Sequence, residues 1–222
     1  MPVSGNGQKV MSIYEVNMGN DSETREKLLQ CAKEEFMEKG FQNASLRQIC
    51  SKAGVTTGAV YFFFKDKDGL FSALIDETYQ GVMQALSRHL HEDMEEDLAS
   101  YVHKPGDHDP FVEELIHALY QNRDAVVLVI SKSVGSKYEH AVDEVVTVIE
   151  SQFGRLAVQY AESVPGKQAN MPMIHWLSHL SVMTFVHLVT HIQDEKEALR
   201  FMKPAMEHLI LGWMDFILED KE

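Results

Sequence analysis

Cysteine is almost absent from this 222-residue chain: Cys31 and Cys50 are the only two, too few for a disulfide framework and suited to a reducing compartment. Long apolar runs are missing too. The run Ala125–Ile130 is six residues, far below the ~20 needed to cross a bilayer, so no membrane span is expected. The first residues lack the charged and apolar parts of a secretory signal, which makes a cytoplasmic location the default. No window alternates apolar and polar residues between turn signals, so no strands are expected. A nucleophile with its base, a phosphate loop and a metal cage are all lacking, so neither an enzyme nor a cofactor or metal site is expected.

Positive charge is scarce overall, with a formal net charge of −14. It is unevenly spread. Residues 21–69 hold eight basic and eight acidic side chains and are neutral, whereas residues 70–222 hold 11 basic and 25 acidic ones. A partner that is itself a polyanion would have to meet the first part, on a few placed cations, with the acidic remainder turned away.

What is present is helical period. Residues 1–20 are polar and glycine-containing and read as a flexible arm, in which Met1, Met11 and Met18 are all candidate starts. Asp21-Ser22 offers an N-cap for a helix over Thr24–Lys39, with Leu28, Cys31, Ala32 and Phe36 on one apolar stripe. Gly40 ends it. Ser45 with Gln48 forms a capping-box pair for a second helix, and Gly54 suits the left-handed residue that closes it. Thr56 can cap a third, Thr57 to Phe63. Asp66 caps a long helix from Lys67 to about Met94. Further helices are expected near 110–121, 124–133, 137–162, 172–192 and 195–218, the last bent at Pro204. Loops fall at 103–109 and 163–170. The chain therefore reads as all-α, with an arm over 1–20, a small three-helix domain over 21–69 and a larger helical domain over 70–222.

Two short helices across a glycine turn make a helix-turn-helix, whose second helix can enter the DNA major groove. Thr56, Thr57 and Gly58 would approach the duplex first: the hydroxyls can bond phosphates or base edges, and Gly58 has no Cβ to hold the helix back. Ser45 and Arg47 open the preceding helix, where N–H groups and a cation can fix a phosphate. Lys67 can do the same at the next helix start.

Thr24–Leu70 resembles the DNA-binding domain of the TetR (tetracycline-repressor) family. The matching residues are Phe36-Met37-Glu38-Lys39-Gly40-Phe41, Ser45, Ile49-Cys50, Ala53-Gly54-Val55-Thr56-Thr57-Gly58, Tyr61-Phe62-Phe63-Phe64 and Lys67-Asp68-Gly69-Leu70, in order and without a gap. Two departures stand out. Phe62 and Phe63 replace residues that are often polar, so whichever of them faces the groove would offer apolar contact, as to a thymine methyl. Cys50 replaces the usual alanine and reads, like Cys31, as a small core residue. The resemblance implies that Tyr61 reaches a phosphate. It also implies that the last two helices pair with their twins in a homodimer, through Trp176, Leu180, Met183, Leu209, Trp213 and Phe216. The central helices, with Phe111, Leu115, Leu119, Val127, Val146 and Phe153, would enclose a small-molecule effector.

The function implied is a dimeric repressor released from a palindromic operator in double-stranded DNA by an unidentified small molecule. An activator or a co-repressor-dependent regulator of the same family is the alternative. A helical small-molecule or metal-binding protein with a vestigial DNA head is a rival of another class. His175/His179 and His187/His191 are i, i+4 pairs, but eight residues, ~12 Å of helix, keep them from sharing an ion. Glu114 and His117 form a lone E-x-x-H, too little for a di-iron bundle.

Overall fold

The helical period of residues 24–39 extends further upstream than its cap signal suggests. A computed structural model describes residues 7–93 and 109–221, and its first helix, α1, runs Gly7–Asn43. Residues 7–20, expected as an arm, are therefore helical, while 1–6 lie outside the described residues. Asp21 and Ser22 sit inside the helix instead of capping it. The Thr24 hydroxyl donates to the Asn20 carbonyl at 2.8 Å, one turn back. Once a helix is nucleated on a core, each further residue adds a hydrogen bond, and no proline interrupts 7–20. Gly40, at φ 73° and ψ 165°, breaks the helix where expected, in a region only glycine occupies without strain.

The remaining helices are α2 (Leu46–Ala53), α3 (Thr57–Phe64), α4 (Lys67–Asp93), α5 (Asp109–Gln121), α6 (Arg123–Lys132), α7 (Ala141–Ser163), α8 (Met171–His191) and α9 (Glu195–Phe216). The fold is all-α with an amino-terminal helix-turn-helix. Except for Asp109, the loop expected at 103–109 lies outside the described residues.

The expectation of no strands is corrected by one small sheet. β1 (Lys167–Ala169) and β2 (Leu218–Asp220) pair antiparallel, Lys167 opposite Asp220 and Ala169 opposite Leu218. Three-residue strands cannot show an alternating pattern, and their partners are 51 residues apart for the pair Gln168–Glu219, so no local signal exists. The ladder is set by what flanks it. The Asn170 N–H donates to the Ile217 carbonyl at 2.8 Å and the Lys221 N–H to the Gly166 carbonyl at 2.9 Å. Lys167 and Asp220 close an ion pair at 2.7 Å. The expected final helix over 195–218 accordingly ends at Phe216.

The chain divides into two compact units. The first runs through Ile75 and takes in residues 132–137; the second holds 76–131 and 138 onward. In the first, Leu28, Ala32, Phe36, Ile49, Val60, Leu70, Phe71 and Ile75 are almost fully buried. Phe71 sits edge-on to both Phe36 (4.9 Å) and Phe41 (5.2 Å), so α1 and α4 are locked through aromatic contacts. In the second, α5, α8 and α9 bury Val112, Ile116, Leu188, Ala198 and Met202. A neighbouring cluster joins Ala157, Ile174, Leu177, Trp213 and Ile217.

The pure apolar runs understate α8. An 18-residue window of this 21-residue helix has a mean hydropathy of 1.2, enough by length and composition alone to cross a membrane, and 33% of that window is buried. One face of α8 supplies those buried residues. The other leaves Trp176, Leu180 and Met183 exposed.

Candidate nucleic-acid interface

The two short helices are set by their caps. Ser45 lies at φ −110°, ψ 116°, and its hydroxyl accepts from the Gln48 N–H at 3.4 Å. The reciprocal half of the expected capping box is made differently. The Ser45 N–H donates not to Gln48 but to a carboxylate oxygen of Glu35 at 3.3 Å, and Gln48 accepts from Lys39. Gly54 closes α2 at φ 71°, ψ 27°, its N–H directed at the Cys50 and Ser51 carbonyls. Thr56 has N-cap backbone angles but makes no side-chain cap bond, which corrects the capping role expected for its hydroxyl. That hydroxyl is exposed and available to a ligand.

Val60 and Phe64, one turn apart, anchor α3 inward. Its outer strip then carries Thr57, Gly58, Tyr61 and Phe62, all exposed, Tyr61 at 61% and Phe62 at 74%. Tyr61 therefore has no core role; its ring and hydroxyl both face outward. Phe62 and Phe63 meet edge-to-face at 4.8 Å, which stiffens a bare aromatic surface. A Cβ at Gly58 would meet only Thr56 Oγ1, at an ordinary 3.5 Å. The protein interior does not require glycine there, so the smooth surface it leaves belongs to the outer face.

The cations divide sharply. Arg47 is exposed at the start of α2. Lys67 is half-buried: its ammonium donates to the Gln42 carbonyl at 3.2 Å and stands 4.7 Å from the Phe41 ring centre. Burial lowers its pKa, with Asp68 opposing. Lys67 thus ties the α1–α2 turn to the first turn of α4, whatever else it touches. Arg25 lies 5.4 Å from the Phe64 ring centre.

Sequence reasoning passed over Glu35. It is fully buried, and its carboxylate accepts from Lys39 (2.8 Å), Lys52 (3.5 Å) and the Ser45 N–H. The Lys39 hydrogen bond is the largest influence and holds its pKa below the ordinary 4.5; burial opposes, and Ser45, the Lys39 charge and the Lys52 bond add to the lowering. One buried anion thus joins α1 to both ends of α2. The signal was legible: Glu35 falls on the stripe of Leu28, Ala32 and Phe36, where a charge demands a partner.

The α3–α4 break falls where expected, at Lys65-Asp66-Lys67, but its strained turn has no signal in the sequence. Lys65 has φ 73°, ψ −48°, and the Asp66 N–H bonds the Phe64 carbonyl at 2.9 Å, a γ-turn that L-residues rarely adopt. Such strain costs about 1–3 kcal/mol. Asp66 caps α4 as expected, accepting from the Gly69 N–H at 2.7 Å. A Cβ at Gly69 would stand 1.8 Å from the Phe64 carbonyl oxygen, so only glycine allows this closeness.

The residues expected at a dimer face separate into two sets. Trp176 (56%), Leu180, Met183 and Phe216 (51%) are exposed. Leu209 and Trp213 are only 6% and 8% exposed, which corrects their assignment: they are protomer core. Trp213 stacks on Phe153 at 4.3 Å and donates to the Ser181 hydroxyl at 3.3 Å. Among the residues expected to line an effector pocket, Leu115 and Leu119 pack with Val126 and Val189, and Phe111 and Val127 lie against them. Val146 is buried. Elsewhere, an open groove of about 670 Å³ runs along α7 to Met171, lined in part by Glu150, Arg155 and Val158.

The histidines find separate partners. His175 pairs with Glu150 at 2.9 Å, while His187 and His191 stack at 4.3 Å. Glu114 pairs with Arg88 and His117 with Glu195, each at 3.0 Å, so the E-x-x-H pair is directed to two different places. Among the described residues no three His, Cys, Asp or Glu side chains converge as metal ligands. Cys50 is buried and Cys31 half-buried; burial raises both thiol pKa values, leaving them little thiolate character.

A capped helix-turn-helix with an exposed second helix defines the class of DNA-binding helical heads. Residues 28–74 match the model of bacterial regulatory proteins of the tetR family. It is 44% identical over 54 residues to the HTH-type transcriptional repressor BepR of Brucella suis, covering 24% of this chain and 26% of that protein. It is 28% identical over 131 residues to the uncharacterized HTH-type transcriptional regulator YvdT of Bacillus subtilis, covering 59% of this chain and 62% of that one. The chain thus matches less than two thirds of the length of either relative. In fold it resembles a transcriptional regulator from Aquifex aeolicus at a TM-score of 0.50, with 20% identity over 83% of this chain and 96% of that one.

Proposed function

We propose that the chain is a homodimeric transcriptional repressor that binds a palindromic operator in double-stranded DNA and is released by a small-molecule effector. The observation that carries this reading is the outer strip of α3, exposed along its length on a helix whose inner face is pinned by Val60 and Phe64. Ser45, Arg47, Thr56, Thr57, Gly58, Tyr61 and Phe62 supply the contacts. Phe62 reads shape and methyl groups where a polar side chain would read hydrogen bonds. Lys67 holds α4 against the α1–α2 turn through Gln42, and its remaining N–H donors meet phosphate.

One such head contacts too few bases for useful specificity, so two are needed, set about one helical turn apart or a multiple of it. Trp176, Leu180, Met183 and Phe216 provide the apolar surface for pairing, and α8 serves this interface, not a membrane. The unit beginning at Asp76 receives the effector, which favours a dimer geometry whose heads no longer match successive grooves. Work on DNA places the protein in the cytoplasm. Selection of bound duplexes from a genomic library tests the reading: a shared palindrome supports it, and the absence of any enriched palindrome overturns it.

A further inference from the structure

Lys65 occupies a backbone position that favours glycine, and the interior gains nothing from its side chain. The turn itself is fixed by its neighbours. Val60 and Phe64 pin α3, the Asp66 carboxylate caps α4, and Gly69 lets the Phe64 carbonyl approach, which leaves one residue to reverse the chain. That residue takes φ 73° with a γ-turn hydrogen bond across it. Glycine would adopt these angles without steric cost. A lysine is there instead, exposed, and among the described residues no partner is recorded for its ammonium. Backbone strain retained where a simpler residue would relieve it points to a function for the side chain. Lys65 also follows the carboxyl end of α3, whose outer side carries Thr57, Gly58, Tyr61 and Phe62, while the Lys67 ammonium, two residues on, bonds the Gln42 carbonyl beside Phe41.

The geometry points to Lys65 as a phosphate-contact residue of the DNA interface, held outward at the end of the reading helix by the strained turn. It adds a second cation beside Lys67, one of whose three donors is held by the Gln42 carbonyl. The inference rests on the DNA-binding reading above and adds one residue to it. A compact ammonium on a flexible stem suits backbone phosphate more than a base edge, so Lys65 contributes affinity without sequence preference.

The test uses the full chain and the duplex that the unsubstituted protein enriches from a random library, titrated by fluorescence anisotropy at several salt concentrations. Lys65→Gly removes both the strain and the charge. It is expected to melt at a higher temperature than the parent, yet bind several-fold more weakly, with the slope of log affinity against log salt reduced by about 1. Lys65→Arg keeps the charge and is expected to restore affinity and slope. Parental affinity and slope in Lys65→Gly would overturn the role of Lys65 alone. Failure of the parent to enrich any duplex would overturn the DNA reading beneath it.

Discussion

Glu35 gives the head its clearest dependence on pH. Its carboxylate binds a proton less readily in the folded chain than in the unfolded one, through the Lys39 hydrogen bond first. The unfolded state therefore holds more protons in the acid range, and stability from this group is complete above the ordinary 4.5 and lost as pH falls through the lower folded value. Glu35→Gln keeps the shape and drops the charge, so it should melt below the parent near neutral pH, with the difference closing as pH falls below 4.5. A difference constant across that range in thermal melts would show that the charge contributes nothing. Gly69 makes a steric prediction. Gly69→Ala places a Cβ 1.8 Å from the Phe64 oxygen, so the γ-turn must open at a cost of about 1–3 kcal/mol, read as a lower midpoint in urea. Neither residue's role is written in composition. Glu35 could have been suspected from its place on an apolar stripe, but the Gly69 contact follows from a turn whose angles no motif specifies.

Helices were legible where the chain supplies its own stops and starts. Gly40, Ser45, Gly54 and Asp66 all act as their residue types suggest, because caps and left-handed glycines are decided within four residues. The signals failed where a tertiary partner won. Asp21-Ser22 was overridden by propagation of α1, the Gln48 half of the capping box by Glu35, and the end of α9 by a strand pairing across 51 residues. The carboxyl end of α8 depends on such partners too. The single Tyr120 O–H is shared between the carbonyls of Ile192 (2.9 Å) and Leu188 (3.2 Å), the latter also bonded by the Ile192 N–H, and Arg123 Nε donates to that of Val189 at 2.9 Å. Together they satisfy carbonyls that a helix end leaves open and place a cation at its negative pole. Tyr120→Phe removes one donor from this cap at nearly constant volume and should cost about 1 kcal/mol. Amide exchange should quicken most between Leu188 and Ile192; quickening spread evenly over the second unit would mean that the hydroxyl does not act locally.

For the whole molecule, the division of charge sets two associations against each other. Residues 70–222 carry 25 acidic and 11 basic side chains, while 21–69 are balanced at eight of each. The proposed homodimer through Trp176, Leu180, Met183 and Phe216 would bring two acidic portions together, so its pairing would be apolar burial working against like-charge repulsion. Added salt screens that repulsion, with a Debye length falling from ~10 Å at 0.1 M to ~3 Å at 1 M, and should tighten the dimer. DNA binding by the same chain runs the other way, because each ammonium or guanidinium on a phosphate displaces counterions that salt returns. Sedimentation velocity and anisotropy across one salt series should therefore show the dimer constant improving while operator affinity falls. Replacing Trp176 and Leu180 together with glutamate removes apolar surface and adds repulsion without touching the protomer core, where Leu209 and Trp213 remain buried. That variant should sediment as a folded monomer with unchanged helicity and lose the operator more steeply than any single contact change on α3. A dimer that survives the double substitution would move the interface away from the exposed α8 face.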